Sequence, residues 1–262
     1  MTLSATPTLT EVEALARHAG EILRSGYGQS LRVYHKGAID LVTEYDRLSE
    51  EYLVGEVRRR YPAHSIIAEE GGRTAGQPDR VWHIDPLDGT VNFAHGIPIF
   101  SVTIAYEEQG ALRLGVVYDP MRDELFSAEA GQGARLNGEP VHPSEADDLD
   151  QALLVTGFPY DIRTSPQNNL DNYARLARVS QGVRRLGSAA LDLAYLACGR
   201  FDGYWELKLN SYDCAGGGLV ALEAGAVVTN SQGDPRFWAP PCSIIAAASA
   251  RLHRQLLEMT SG

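Results

Sequence analysis

Two aspartates, Asp85 and Asp88, stand three residues apart in the stretch Trp82-His83-Ile84-Asp85-Pro86-Leu87-Asp88-Gly89-Thr90-Val91-Asn92-Phe93. Carboxylates set this close repel each other and cost stability unless something positive lies between them. A hard divalent cation answers that need, and Mg²⁺ takes oxygen ligands of this kind. Val81 to Ile84 reads as a buried strand. Pro86 can neither continue a ladder nor sit inside a helix, so the acids are expected to emerge just past the strand end. Gly89 and Thr90 follow with backbone N–H groups where a helix can start, a natural seat for a phosphate. Taken alone, Asp-Pro followed by Asp-Gly is also ordinary turn grammar, so the weight falls on what else the chain carries.

Three further stretches add acids. Ser65-Ile66-Ile67-Ala68-Glu69-Glu70 is a short strand that delivers two glutamates at its end, and Glu69, directly after the apolar run, is the better ligand. Asp213 precedes Cys214-Ala215-Gly216-Gly217-Gly218 and reads either as a ligand or as the cap of a helix. Asp46, in Thr43-x-x-Asp46, has the same ambiguity, since it resembles a weakened capping box. No two of the seven histidines pair as His-x-x-x-His. A glycine-rich loop followed by Lys-Ser/Thr is missing, as is Gly-x-Ser-x-Gly, which excludes a P-loop and a nucleophile elbow.

The elements that must position these residues can be read from periodicity. Thr8-x-x-Glu11 is a capping box, followed at helical spacing by Val12, Leu15, Ala16, Ala19, Ile22 and Leu23, with an end at Gly26 or Gly28. Leu31 to His35 reads as a strand and Lys36 to Asp40 as a loop. A second helix is expected from about Thr43 to Arg60, with Leu48, Leu53 and Val57 inward and Arg58-Arg59-Arg60 suiting its C-terminal dipole. Gly71 to Gly76 reads as a mobile loop. Phe100–Tyr106, Leu112–Tyr118 and Glu124–Ala128 form an antiparallel meander, with a further turn at Asn137-Gly138. From Leu153 the texture becomes alternating β and α: strands at Leu153–Thr156, Asp202–Leu207, Ala226–Thr229 and Ile244–Ala248. The helices between and after them are expected at Pro166–Val179, Ser188–Cys198, Cys214–Ala224 and Ala250–Met259. The whole reads as one α+β to α/β unit over residues 1–262, in alternating helix and sheet layers. Its lobes would be an α+β one to about residue 145 and an α/β one from about 146.

Composition narrows the class. With 262 residues and 44% apolar content a substantial core is available, and a net charge of −11 argues against a nucleic-acid surface. An anionic substrate would then need a site that carries its own cation. Cys198, Cys214 and Cys242 are odd in number and unpaired in spacing, so neither a disulfide framework nor a cysteine zinc site is suggested. No signal peptide or membrane-spanning run is recognisable, and a reducing cytoplasm is the expected setting.

Asp85-Pro86-Leu87-Asp88-Gly89-Thr90-Val91-Asn92-Phe93 resembles the signature of the inositol monophosphatase family of metal-dependent, lithium-sensitive phosphatases. A second family motif, Trp-Asp-x-Ala-Ala/Gly-Gly, is matched by Tyr212-Asp213-Cys214-Ala215-Gly216-Gly217, with Tyr212 in place of the tryptophan. The Glu69-Glu70 pair and Asp40-Leu41-Val42-Thr43-x-x-Asp46 match as well, and the resemblance runs from about Glu11 to the last helix. It implies an αβαβα sandwich and a homodimer.

The resemblance also implies roles. Glu69, Asp85 and the Leu87 carbonyl would hold one Mg²⁺; Asp85, Asp88 and Asp213 a second; a third, weaker ion would sit near Glu69, giving two to three per site. Gly89 and Thr90 would face the phosphate, and Thr90, with Asp46 accepting from its hydroxyl, would orient the attacking water together with Glu69. Gly187, Ser188 and Ala189 would line the substrate pocket, with Glu206 accepting from sugar or inositol hydroxyls. Lys36, Arg184 and Arg185 are further candidates; either arginine could meet a second phosphate or a carboxylate, or simply mark a strand start at a surface. The implied substrate is a small phosphorylated polyol or sugar, inositol-1-phosphate first, then histidinol phosphate or fructose 1,6-bisphosphate. A catalytically idle regulatory protein of the same fold, working with the transcription machinery, is the alternative from another class. Neither nucleic acid nor membrane is expected as a partner.

Overall fold

The structure, a computed structural model, describes residues 6–29, 33–35 and 41–260. In chain order its elements are α1 (Leu9–Gly26), β1 (Val33–His35), β2 (Leu41–Thr43), α2 (Glu44–Arg60), β3 (His64–Ala68), β4 (Gly72–Thr74) and β5 (Gln77–Asp88). Then follow α3 (Thr90–Ala94), β6 (Ser101–Glu108), β7 (Ala111–Asp119), β8 (Glu124–Glu129), β9 (Ala134–Leu136) and β10 (Glu139–Pro140). The remainder comprises β11 (Leu153–Thr156), α4 (Leu170–Leu176), β12 (Gly182–Arg184), α5 (Ala189–Ala197), β13 (Gly203–Leu209), α6 (Ser211–Ala224), β14 (Val227–Thr229), β15 (Cys242–Ala247) and α7 (Ala250–Thr260).

Strands β3 to β10 build an eight-stranded sheet in the order β10-β9-β8-β7-β6-β5-β3-β4, and β11 to β15 a five-stranded one in the order β12-β11-β13-β15-β14. Side chains alternate across each strand and so sort into separate cores. Trp82 and Ile84 of β5 and Val102, Ile104 and Tyr106 of β6 point to the face covered by Val12, Leu15 and Leu23 of α1 and Leu53 and Val57 of α2. Val117 and Phe126 point the other way, into a core shared with α5, α6 and Tyr204, Ile244 and Ala246 of the smaller sheet. Trp205, Ile245 and Ala247 face outward to Leu176 of α4 and Leu252 and Leu256 of α7. The layers are thus helix, sheet, helix, sheet, helix, as expected.

The middle layer is tight, and this explains the glycine triplet of α6. A Cβ on Gly216 would lie 2.3 Å from Thr103 Oγ1, one on Gly217 2.9 Å from Leu193 Cβ, and one on Gly218 2.3 Å from a Phe237 ring carbon. Only helix backbone fits between the large sheet, α5 and Phe237.

Several expectations need correction. Pro86 does not end β5: the strand continues to Asp88, but its pairing with β6 slips between Asp85 (opposite Thr103) and Asp88 (opposite Ser101), a bulge that lets the ladder step around the proline. Gly71 to Gly76 contains β4, paired antiparallel with β3. Leu48 is exposed, while Asp46, Ser49 and Glu50 face inward. The helix expected at Pro166–Val179 is only α4, Leu170–Leu176. Helix α6 begins at Ser211 with Asn210 as its N-cap, so Asp213 is its third residue and not its cap. Lys36 lies outside the described residues.

Candidate active site

Parallel pairing of β3 with β5 brings the C-terminal ends of both strands together. Ala68 stands opposite Ile84, and the Glu69 amide donates to the Ile84 carbonyl at 3.2 Å, so Glu69 leaves its strand beside Asp85. Strand ends next to a change of strand direction, as here between parallel β3 and antiparallel β6, are where open sheets place ligands. Asp85 is buried, and its Oδ1 accepts from the Leu87 amide at 3.0 Å, a local turn that fixes the carboxyl. Helix α6 lies across the same end of the sheet and contributes Asp213, whose Oδ2 accepts from the Asn210 amide at 2.6 Å.

Asp88 is held from the opposite side. Its Oδ2 accepts from Ser188 Oγ at 2.6 Å and the Ala190 amide at 2.8 Å, and its Oδ1 from the Ala189 amide at 3.2 Å. These are the opening groups of α5, so the acid lies where unpaired helix amides favour negative charge. Gly89 has φ of 99°, and a Cβ there would meet the Ile99 and Gly187 carbonyl oxygens at 3.0 and 3.2 Å. Glycine is therefore required for the turn from β5 into α3. Asn92 secures that turn by donating to the Ile99 and Leu186 carbonyls, both at 2.8 Å.

Glu69, Asp85, Leu87, Asp88, Gly89, Thr90 and Asp213 line one cavity of about 180 Å³, with Tyr160, Asn210 and Tyr212 completing its wall. Burial, and then the charges of Glu69, Asp88 and Asp213, hold the Asp85 carboxyl well above the usual aspartate range. Burial raises Asp213 well above its ordinary value, opposed by the Asn210 amide and reinforced by Glu69 and Asp88. Burial raises Asp88 as well, against the hydrogen bonds from Ser188 and the α5 amides. Among the described residues, no three His, Cys, Asp or Glu side chains are drawn onto a common ligand position. Asp88 turns to α5 and Asp213 to the Asn210 amide, so the acids ring the cavity instead of closing on its centre. The donor set nonetheless fits a hard divalent cation: it is all oxygen, net negative, and destabilised by its own charges.

A second element of the site is fully formed. Thr90 Oγ1 lies 2.9 Å from Asp46 Oδ1 and 3.0 Å from the Leu87 carbonyl oxygen. The other Asp46 oxygen accepts from the Thr43 amide at 2.8 Å and the Thr43 hydroxyl at 2.5 Å, so Asp46 closes the capping box of α2 and meets Thr90 at once. Burial pushes the Asp46 carboxyl up to about 6, against the pull of the Thr43 and Thr90 hydrogen bonds. Ser49 Oγ donates to the Pro86 carbonyl at 2.9 Å and Glu50 Oε2 accepts from the Glu70 amide at 2.8 Å, which ties α2 to both acid-bearing strands.

Beside the acid cavity opens a wider one of about 340 Å³, which shares Asp88, Gly89, Thr90 and Asp213 and adds Gly187, Ser188, Ala189, Glu206 and Arg185. Glu206 is buried, and its Oε2 accepts from Tyr204 Oη at 2.6 Å. Burial lifts it to about 7, with Tyr204 and Arg185 opposing. The arginines part company: Arg185 reaches this cavity, whereas Arg184 is exposed at the end of β12. Residues that the sequence reading missed are Tyr204, legible only as the same-face neighbour of Glu206 two positions back, and Asp192. The latter is buried in the cavity wall with Oδ1 unpartnered, and no local pattern marks it. A broader depression of about 930 Å³, over Asn168, Asn172 and Ser243, carries none of these acids.

Comparison with known proteins identifies the family. The family model described as the inositol monophosphatase family matches residues 5–261. The chain is 45% identical over 240 residues to the Nus factor SuhB of Pseudomonas aeruginosa, covering 88% of each protein. It is 44% identical over 241 residues to the inositol-1-monophosphatase of Synechocystis, covering 91% of this chain and 83% of that one. The structure of the inositol monophosphatase from Anabaena superposes with a TM-score of 0.86 at 40% identity, over 96% of this chain and 94% of that one. With the family model matched over residues 5–261 and relatives above 40% identity along most of its length, the chain belongs to the inositol monophosphatase family.

Proposed function

We propose that this protein is a Mg²⁺-dependent phosphomonoester hydrolase with inositol-1-phosphate as its preferred substrate. The observation that carries the reading is the cavity lined by Glu69, Asp85, Asp88 and Asp213 beside the Asp46–Thr90 hydrogen bond. Glu69, Asp85, the Leu87 carbonyl, Asp88 and Asp213 would hold two to three Mg²⁺ ions, which supply charge neutralisation at phosphorus and lower the pKa of a bound water. The chain's own groups do the rest. Ionised Asp46 accepts the Thr90 O–H, which leaves the Thr90 oxygen lone pairs to accept from the attacking water and aim it. Amides of Gly89 and Thr90 at the start of α3 bind phosphate oxygens, and Asp88, fixed by α5, keeps its place as charge develops. Positioning and electrostatics are what phosphoryl transfer asks of a protein.

Substrate choice rests on the wider cavity. With Tyr204 donating to Glu206 Oε2, the other carboxylate oxygen would accept a substrate hydroxyl. A carboxylate there favours a neutral polyol over a second phosphate. Arg185 in the same wall supports histidinol phosphate or fructose 1,6-bisphosphate as the alternatives. The test is phosphate release from the three compounds with and without Mg²⁺, and then with Li⁺. Mg²⁺-dependent, lithium-suppressed release with inositol-1-phosphate preferred is expected; a strong preference for the bisphosphate would remove the polyol reading.

A second reading, a regulatory role beside catalysis, is favoured by the relatives named Nus factor SuhB. Pull-down with the resting protein tests it, and failure to retain a specific partner would end it. No helix among the described residues is long and apolar enough to cross a membrane. We read the protein as a cytoplasmic homodimer, which light scattering would check.

A further inference from the structure

Two residues before Asp85 and two before Asp213, a pair of polar side chains joins β5 directly to α6. His83 Nδ1 lies 2.8 Å from Ser211 Oγ, and His83 Nε2 lies 3.0 Å from Glu107 Oε2 on β6. Trp238 Nε1 donates to the same Glu107 oxygen at 3.2 Å. His83 is 3% exposed and Ser211 6%, so these bonds act in a dry setting where each is strengthened and a broken one is costly. An ionised carboxylate only accepts, so the Nε2–H donates to Glu107, and Nδ1 shares the second hydrogen bond with the Ser211 hydroxyl. The His83 hydrogen bond, ahead of all other influences, holds the Glu107 carboxyl below the usual glutamate range.

The order serine, histidine, glutamate is that of a hydrolase triad. Ser211, however, is packed inside as the first residue of α6, and the residues that α6 and its cap present to the acid cavity are Asn210, Tyr212 and Asp213. The arrangement does not attack a substrate; it joins two elements. On β5, His83 and Asp85 share one face because side chains alternate along a strand. On α6, Ser211 and Asp213 both lie in the first turn. The bond between His83 and Ser211 therefore spans the same two elements whose acids repel each other one step away.

We propose that His83, anchored by Glu107 and Trp238, is a positioning residue that sets the separation of Asp85 and Asp213 through Ser211 and so tunes the divalent-cation affinity of the acid cavity. This rests on the reading of those acids as cation ligands. Without the link, repulsion among the acids moves the first turn of α6 outward, and part of the binding free energy of a cation is spent drawing it back. Outer partners that fix ligands in this way govern metal affinity in general.

The test uses Ser211→Ala, which deletes one hydroxyl at a helix start, with Ser211→Thr as the conservative control and His83→Gln as the stronger lesion. Mn²⁺ binding is followed by electron paramagnetic resonance of the free ion, and thermal unfolding is recorded in chelator. Loss of one buried hydrogen bond translates into a Mn²⁺ dissociation constant raised about fivefold in Ser211→Ala. His83→Gln should lose more, Ser211→Thr should return to wild-type affinity, and the Mg²⁺ needed for half-maximal turnover should rise in step. Wild-type Mn²⁺ affinity in Ser211→Ala, with only the metal-free melting temperature lowered, would show a structural tie and overturn the proposal. Wild-type protein that binds no Mn²⁺ would instead remove the cation reading itself, and the proposal with it. Should His83→Gln not fold, the two serine variants decide.

Discussion

Asp119 and Asp85 are both aspartates of the eight-stranded sheet and are almost equally buried, at 0% and 2% exposure. Asp119, at the end of β7, is fully provided for. Its Oδ1 accepts from the Met121 and Arg122 amides at 2.9 and 3.1 Å, and its Oδ2 from Arg122 Nη1 at 3.0 Å and Tyr195 Oη at 3.1 Å. Asp85 has one amide, that of Leu87, and its charged neighbours are three more acids. Burial alone thus says nothing about chemistry. On the proposed reading, what separates the two acids is the source of the positive partner: Arg122 serves Asp119, whereas a cation from solution would serve Asp85.

The largest expected effect follows on the functional side. Asp213→Asn or Asp88→Asn should lower Mg²⁺-dependent phosphate release by on the order of 10³ or more, with circular dichroism unchanged. Near-normal turnover at modest Mg²⁺ in either variant would sink the cation reading. Asp85→Asn sharpens the contrast, because relief of repulsion should raise the melting temperature of the metal-free protein even as activity disappears.

On the structural side the outcome reverses. Asp119→Ala leaves the Tyr195 hydroxyl without its acceptor and Arg122 without its counter-charge and should cost about 3 kcal/mol of stability, measured by urea unfolding. Mn²⁺ affinity should stay as in the wild type. A variant that unfolds normally but binds Mn²⁺ poorly would erase the distinction between the two acids.

The sequence shows this contrast only in part, for identifiable reasons. The meander β6–β8 is bounded by recognisable turns and α1 carries its capping box, so local rules suffice for them. Leu48 misleads because the inward face of α2 is polar where it meets the site: Ser49 and Glu50 are there to satisfy the Pro86 carbonyl and the Glu70 amide. Pro86 misleads because a bulge lets the strand carry it. Strand β12 is three residues long and half exposed, too short to show a period. The acids announce themselves as motifs, yet His83, Glu107 and Ser211 belong together only through pairings 24 and 128 residues apart, which no local pattern encodes.

The third prediction concerns pH. Asp46 has a folded value of about 6 against an ordinary 3.8. A carboxyl raised by folding favours the native state while protonated, so its contribution is fully present below 3.8 and is lost as pH rises to about 6. Glu206, raised to about 7 from 4.5, extends the decline upward. The metal-free protein should therefore lose on the order of 2–3 kcal/mol per group between pH 4 and pH 8, while turnover rises through pH 6 as Asp46 ionises. Melting curves in chelator across that range check the first, and a pH–rate profile the second. Stability that increases steadily with pH in chelator would mean that these acids are paired after all, as Asp119 is.

The smallest effect separates recognition from chemistry within the site. Glu206 touches the wider cavity and not the acid cluster, and its partner is Tyr204 rather than a cation. Replacing it by glutamine keeps shape and burial but removes the strong acceptor, so KM for inositol-1-phosphate should rise about tenfold, the worth of one hydrogen bond to a charged group. An aryl phosphate without ring hydroxyls should be hydrolysed as before. If both substrates suffer alike, Glu206 acts on the cavity as a whole, through its charge on Asp213, and the hydroxyl-binding role passes to another residue of the wall.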